Sequence, residues 1–138
     1  QTGSGKTFTM SGEEGAQCSG GSGLMARACA HLFHEIARSG ADTAVHCSFL
    51  EIYNEAIYDL IHWTQEQLPV RFDARKGFHV PELKEVECDS YEAIMSVMAE
   101  GLQNRSVGSH ELNMESSRSH SVFTIHTATS DGDSVRRG

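Results

Sequence analysis

The first seven residues, Gln1-Thr2-Gly3-Ser4-Gly5-Lys6-Thr7, restrict the fold more than any other stretch of this 138-residue chain. They end in Gly-Lys-Thr, the close of the phosphate-binding pattern GxxxxGK[ST], whose first glycine would stand one residue ahead of Gln1. A Gly-rich turn lets successive backbone N–H groups converge on phosphate oxygens, because no Cβ obstructs the approach. The helix expected to follow adds the positive end of its dipole. On this reading Lys6 supplies a point charge toward the outer phosphates, and the Thr7 hydroxyl ligates Mg²⁺. Taken alone, the same residues also suit a Gly/Ser linker that happens to contain a lysine.

The rest of the chain alternates helix and strand signals, which predicts an α/β layered fold. Thr7 to Met10 should begin the helix behind the loop. Ser11 to Gly23, rich in Gly and Ser, reads as a mobile surface loop. Leu24, Ala28, Leu32 and Ile36 recur every four residues, with Met25, Cys29 and Phe33 beside them. That is an apolar stripe on a helix over 24–38, and Gly40 is a good C-cap beyond it. Val45 to Tyr53 is β-branched and aromatic and short enough for a buried strand. Leu68 to Val86 holds two strand-like runs around Lys76-Gly77, a small hairpin. Asp89 and Glu92 make a start like a capping box. Tyr91, Met95, Met98 and Leu102 then predict a helix ending near Leu102. Ser121 to Thr129 alternates as a strand does. No internal repeat is present.

Composition excludes several classes. Lys and Arg total 11 against 19 Asp and Glu, a formal charge of −8, which argues against a nucleic-acid coat. No apolar run approaches the roughly 18 residues of a membrane span, so no membrane contact is expected from this segment. The four cysteines (Cys18, Cys29, Cys47, Cys88) are far apart, with no CxxC pair. They read as small buried side chains in a reducing, cytosolic compartment. His31 and His34 lack a third ligand at useful spacing and read as helix surface. The strand that should feed the phosphate loop lies ahead of Gln1, and Arg136-Arg137-Gly138 follows a strand without a closing element. Residues 1–138 therefore read as one partial domain.

Asn113-Met114-Glu115-Ser116-Ser117-Arg118-Ser119-His120 forms a second polar constellation. Hydrolysis of a γ-phosphate needs a water held in line and donors around developing charge. Small hydroxyls can orient that water and complete a Mg²⁺ shell without adding repulsion, and Arg118 offers a rigid fork for a carboxylate. By itself the segment equally suits an exposed Ser-rich turn.

Together these residues resemble a known family. Gln1 to Met10 resembles the phosphate loop of kinesin motor domains. Leu50-Glu51-Ile52-Tyr53-Asn54-Glu55, followed by Ile57-Tyr58-Asp59-Leu60, is similar to a central-strand signature of that family. Asn104-Arg105, then Asn113, then Ser116-Ser117-Arg118-Ser119-His120, resembles its switch I region. The resemblance implies a P-loop NTPase fold with a central mixed β-sheet flanked by helices, of which 1–138 is a part beginning inside the P-loop and ending before switch II. It implies a microtubule motor driven by ATP with Mg²⁺, working on the cytoplasmic cytoskeleton. Gln1, Thr2, Gly3, Ser4, Gly5, Lys6 and Thr7 would cradle the phosphates, and Phe8 would pack near the adenine. Thr7 and Ser117 would bind Mg²⁺. Asn113, Ser116 and Ser117 belong to the catalytic loop, the two serines sensing the γ-phosphate and holding the attacking water. Arg118 would pair with a glutamate of switch II.

The chain departs from the family at Ala26, where proline is frequent, and at His110, where threonine is common. Arg71, Arg75 and Lys76 cluster on the small hairpin, a lobe that in kinesins reaches β-tubulin, and are candidate microtubule contacts. An ordinary solvated turn would place them the same way. Leu68-Pro69-Val70-Arg71 with Gly77-Phe78 looks most like the kinesin-twelve group. The alternative to a motor is a kinesin-like module that tethers microtubules without turnover; a different P-loop enzyme is the more distant alternative. Dimerisation and cargo binding would belong to other regions. The isolated 138-residue piece is expected neither to fold stably nor to hydrolyse ATP.

Overall fold

A single long strand, β1 (Asp42–Tyr53), organises the computed structural model, which describes residues 5–12, 23–111, 118–131 and 134–137. Both edges of β1 are taken. Along one, β6 (Ser119–Asp131) pairs over the full length, from Asp42↔Ser130 to Tyr53↔Ser119. The other is shared: β2 (Ala56–Asp59) pairs with Leu50 to Tyr53, and β5 (Val86–Glu87) pairs with His46 and Cys47. β7 (Ser134–Arg137) extends the sheet beyond β6. Strand pairs among the described residues are antiparallel.

β1 turns into β2 through Asn54 and Glu55, whose φ values of 48° and 65° are both left-handed. A two-residue loop with positive φ at both central residues, the type I′ kind, matches the right-handed twist of the strands. Asp59, at the end of β2, is buried and accepts three backbone N–H groups, those of Ile61, His62 and Lys84. It thereby holds the chain leaving the sheet against the segment returning to β5.

Val45, Cys47, Phe49 and Glu51 alternate along one face of β1 and are all buried. Over that face lie α2 (Leu24–Ser39) and α3 (Tyr91–Glu111). Cys29, Val45, Cys47, Cys88 and Ile94 form the core between them, with Phe33, Ile36, Phe123 and Ile125 packed around it. The expected layering of helices on a sheet is thus present. α2 ends at Gly40, in a left-handed conformation as expected of its C-cap. The apolar stripe read from the sequence faces the core at Cys29, Leu32, Phe33 and Ile36 but departs at its start. Leu24 is 53% exposed and Ala28 is exposed, whereas Ala26 and Cys29 are buried. Steps of four advance about 40° each around a helix of 3.6 residues per turn, so Leu24 and Ile36 point in different directions. The 26–29–33–36 row stays on one side.

α3 also differs from expectation. Its start is capped by Ser90, whose hydroxyl accepts the Ala93 N–H at 3.3 Å, while Asp89 accepts the Ser90 hydroxyl at 2.9 Å. It runs on to Glu111, well past Leu102. Two glycines let it lie close to the rest of the molecule. A Cβ at Gly101 would stand 2.2 Å from the Phe49 ring, and one at Gly108 would stand 2.3 Å from Trp63. The Phe49 ring is itself held edge-on to Phe123 at 5.2 Å.

Two predictions follow from this packing. Alanine at a helical glycine ordinarily gains about 1 kcal/mol, but forcing a methyl into Trp63 costs about 1–3 kcal/mol. Gly108→Ala in the full-length protein is therefore expected to lower the denaturation midpoint, while Ser106→Ala on the exposed side leaves or raises it. The second concerns the thiols. Cys47 and Cys88 approach to 3.3 Å between Sγ atoms, and burial, helped by that contact, pushes the Cys47 thiol up from 9.0 to about 12. The folded state keeps a proton that the unfolded state loses above pH 9. Stability from this group is thus complete below pH 9 and is lost as pH rises toward 12. Urea midpoints measured across that window should fall more steeply for the native protein than for Cys47→Ala.

Candidate functional site

The phosphate-loop residues lead into α1 (Lys6–Ser11), as the sequence predicts. Gly5 stands at its N-cap with φ 77° and ψ 8°, a left-handed conformation that glycine adopts without strain, and no side chain caps the helix start. The Gly5 carbonyl accepts the Thr9 N–H at 2.8 Å and the Thr9 hydroxyl at 2.9 Å, which fixes the turn onto the helix. Lys6 and Thr7 are the first two helical residues; their side chains, and all of Gln1, Thr2, Gly3 and Ser4, lie outside the described residues. The Phe8 ring is 59% exposed and open to contact. Most of the loop expected over Ser11 to Gly23 also lies outside.

Of the second constellation, Asn113, Ser116 and Ser117 lie outside the described residues. Arg118 is exposed and immediately precedes β6. Asn104 and Arg105, read with this loop from the sequence, belong instead to α3, and both are bolted to the β1–β2 hairpin. Asn104 donates through Nδ2 to the Leu60 carbonyl at 2.8 Å. Arg105 donates through Nε to Glu51 Oε1 at 2.9 Å and through Nη2 to the Ser119 hydroxyl at 2.8 Å.

Glu51 was not among the sequence candidates. It is 2% exposed, and Oε2 has no hydrogen-bond partner among the described residues. Its signal was available: a carboxylate on the inward face of Phe49-Leu50-Glu51-Ile52-Tyr53 needs a buried cation. What the sequence could not supply was the address of that cation, 54 residues away.

Between α1, α2, α3 and β6 lies a cavity of about 530 Å³. Met10 of α1, Cys29 of α2, Leu102 and Arg105 of α3, and Ser121 and Phe123 of β6 line it. Arg105 is its one charged lining residue among those described. The apolar walls do not suit a triphosphate; the cavity is instead the space across which the phosphate-loop helix faces the start of β6.

The basic cluster stands elsewhere, on the hairpin of β3 (Arg71–Asp73) and β4 (Gly77–His79), which forms its own two-stranded sheet. Arg71, Arg75 and Lys76 are all exposed. Asp73 Oδ1 accepts the N–H groups of Arg75 at 2.8 Å and Lys76 at 3.0 Å, and these bonds hold its carboxyl below the usual aspartate value. Gly77, at φ 70°, lets the chain re-enter the ladder. Phe72 and Phe78 pack edge to face at 5.1 Å and keep the strands together though both are largely exposed.

With this geometry in place, similarity to known proteins is decisive. The kinesin motor domain profile matches residues 1–137. The chain belongs to the kinesin motor domain family. It is 44% identical over 142 residues to the kinesin-like protein KLP1 of Chlamydomonas reinhardtii, covering 99% of this chain and 18% of that protein. To KIF12 of Mus musculus it is 39% identical, over 91% of this chain and 21% of that one. To KIN-12D of Arabidopsis thaliana it is 44% identical, over 90% and 5%. A solved structure of a fast kinesin, described for its ATPase mechanism and interactions with microtubules, matches with a TM-score of 0.91 at 33% identity, covering all of this chain and 40% of that one. This kinesin chain has the α/β P-loop fold of its family and spans about a fifth or less of the curated relatives named.

Proposed function

We propose that the protein carrying this kinesin chain is a microtubule motor that couples ATP hydrolysis to movement. What carries the reading is the match over residues 1–137 to a motor family, with Gly5-Lys6-Thr7 and Ser116-Ser117-Arg118 both in the chain. Support comes from the left-handed Gly5 at the start of α1, where the backbone turns without a Cβ in the way. In this reading Gln1 to Gly5 present backbone N–H groups to the phosphates, Lys6 offsets their charge, and the exposed Phe8 takes the adenine side. The donors suit Mg²⁺, a hard cation that prefers neutral hydroxyl, carboxylate and phosphate oxygens. Thr7 and Ser117 would hold it, and when bound the ion neutralises charge on the phosphate oxygens. Ser116 and Ser117 orient the attacking water, with Asn113 in the same loop, and Arg118 presents its fork to a carboxylate of the motor. Arg71, Arg75 and Lys76 face the acidic surface of tubulin, and the working location is the cytoplasmic microtubule cytoskeleton.

The test is steady-state ATPase of the full-length protein with and without microtubules, beside Lys6→Ala and an Arg71→Ala/Arg75→Ala/Lys76→Ala triple variant. Microtubules should stimulate turnover strongly, and Lys6→Ala should abolish it. The triple variant should raise the microtubule concentration for half-maximal stimulation and weaken its dependence on salt, with basal turnover unchanged. Turnover indifferent to microtubules would point to a different P-loop enzyme. Microtubule binding without turnover would leave a tether.

A further inference from the structure

We propose that Arg105, held by Glu51, is a positioning residue for the reaction: it sets α3 against the first residue of β6 and so fixes the frame from which the Ser116-Ser117-Arg118 loop is presented. This inference rests on the ATP-hydrolysing reading above. In chain order Ser116-Ser117-Arg118 falls between the end of α3 at Glu111 and the start of β6 at Ser119. The β1–β6 ladder places Ser119 opposite Tyr53, and packing seats α3 on the sheet. Arg105 adds a directional link from the helix to the first residue of β6. One planar guanidinium reaches two acceptors on two elements, Glu51 Oε1 of β1 at 2.9 Å and Ser119 Oγ of β6 at 2.8 Å. An ammonium carries its three donors on one atom of a flexible stem, so it does not offer two donors at the fixed planar spacing that Nε and Nη2 provide.

The energetics argue for placement over stability. Glu51 is almost fully buried, and among the described residues only Arg105 reaches its carboxylate. A carboxylate removed from water in this way is seldom more stabilising than an apolar residue of similar size, and the best-attested use of such a pair is to specify one arrangement. Arg105 also lines the cavity shared with Met10 of α1, so it stands between the phosphate-loop helix and β6. Neighbouring Asn104, bonded to the Leu60 carbonyl, stops α3 from turning about its axis.

The experiment compares Ser119→Ala, Ser119→Thr and Arg105→Lys in the full-length protein. It measures microtubule-stimulated kcat, KM for ATP, thermal midpoint, and amide hydrogen exchange at residues 118–122. Ser119→Ala and Arg105→Lys should lower kcat about tenfold or more, as misplacement of reacting groups does, with KM for ATP and the thermal midpoint close to native. Ser119→Thr, which keeps the hydroxyl, should recover most of the rate. Native kcat in Ser119→Ala, or equal losses in the alanine and threonine variants, would overturn the proposal. If the native protein hydrolyses no ATP, the functional reading fails separately, and hydrogen exchange decides the tie. Faster exchange at 118–122 in Ser119→Ala, restored by threonine, would uphold the frame; unchanged exchange would overturn it.

Discussion

The structure depends on β1 having a partner on each edge and helices over one face. A strand of twelve residues in that position can place backbone donors and acceptors only in the ladders, and the residues on its inward face only against helices. Its register with β6, continuous from Asp42 to Tyr53, fixes which residues of β6 face α2 and α3. Phe123 and Ile125 point inward because they stand opposite Phe49 and Cys47. The same register brings Ser119 to the level of Tyr53, two residues from Glu51 along the strand. The late polar loop therefore begins its return to the sheet beside the one carboxylate buried on that face. Nothing in the local sequence of either segment requires this; the ladder imposes it.

How near the helices come is set by what their side chains lack. Gly101 sits against the Phe49 ring and Gly108 against Trp63, at distances where a methyl group would collide. Close approach shortens the span that Arg105, between those two glycines, must cross to reach Glu51. The glycines and the ion pair are thus one arrangement: the first lets the helix down onto the sheet, and the second fixes where along the sheet it rests.

Much of the fold was legible in the sequence wherever periodicity and turn chemistry agreed. The α2 helix with its Gly40 cap, the buried strand, the hairpin at Lys76-Gly77 and the last strand stand where those patterns place them, some with longer or shorter bounds. Legibility failed where tertiary contacts decide. The apolar spacing of α3 stops at Leu102, yet the helix continues, because Asn104 and Arg105 use their polar groups on Leu60, Glu51 and Ser119, and Gly108 packs on Trp63. Polar residues at helical spacing look like a loop when their partners are 14 to 54 residues distant. The start of the α2 stripe was misplaced for a related reason: its later residues, Cys29, Leu32, Phe33 and Ile36, do face the core, but among the early ones only the sheet beneath selects Ala26 over Leu24 and Ala28. For the site, Gly5 and its helix were readable from the motif alone, whereas Glu51 carried a signal without an address.

A buried carboxylate with an oxygen that has no partner among the described residues also bears on how the molecule divides its labour. Asp59, also a carboxylate and nearly as buried, has both oxygens engaged, by Ile61, His62 and Lys84 N–H groups. It is a structural staple: its acceptors are satisfied by backbone that has nowhere else to go. Among the described residues Glu51 is held by one side chain, whose other arm holds Ser119. A charge satisfied by backbone locks a turn in place permanently. A charge satisfied by a side chain instead links the sheet to the helix that carries the partner, and here the same planar group also reaches Ser119. Two acids of similar burial thus do opposite work: Asp59 keeps the sheet's exit rigid, and Glu51 ties the sheet to the part of the chain on which the proposed chemistry depends.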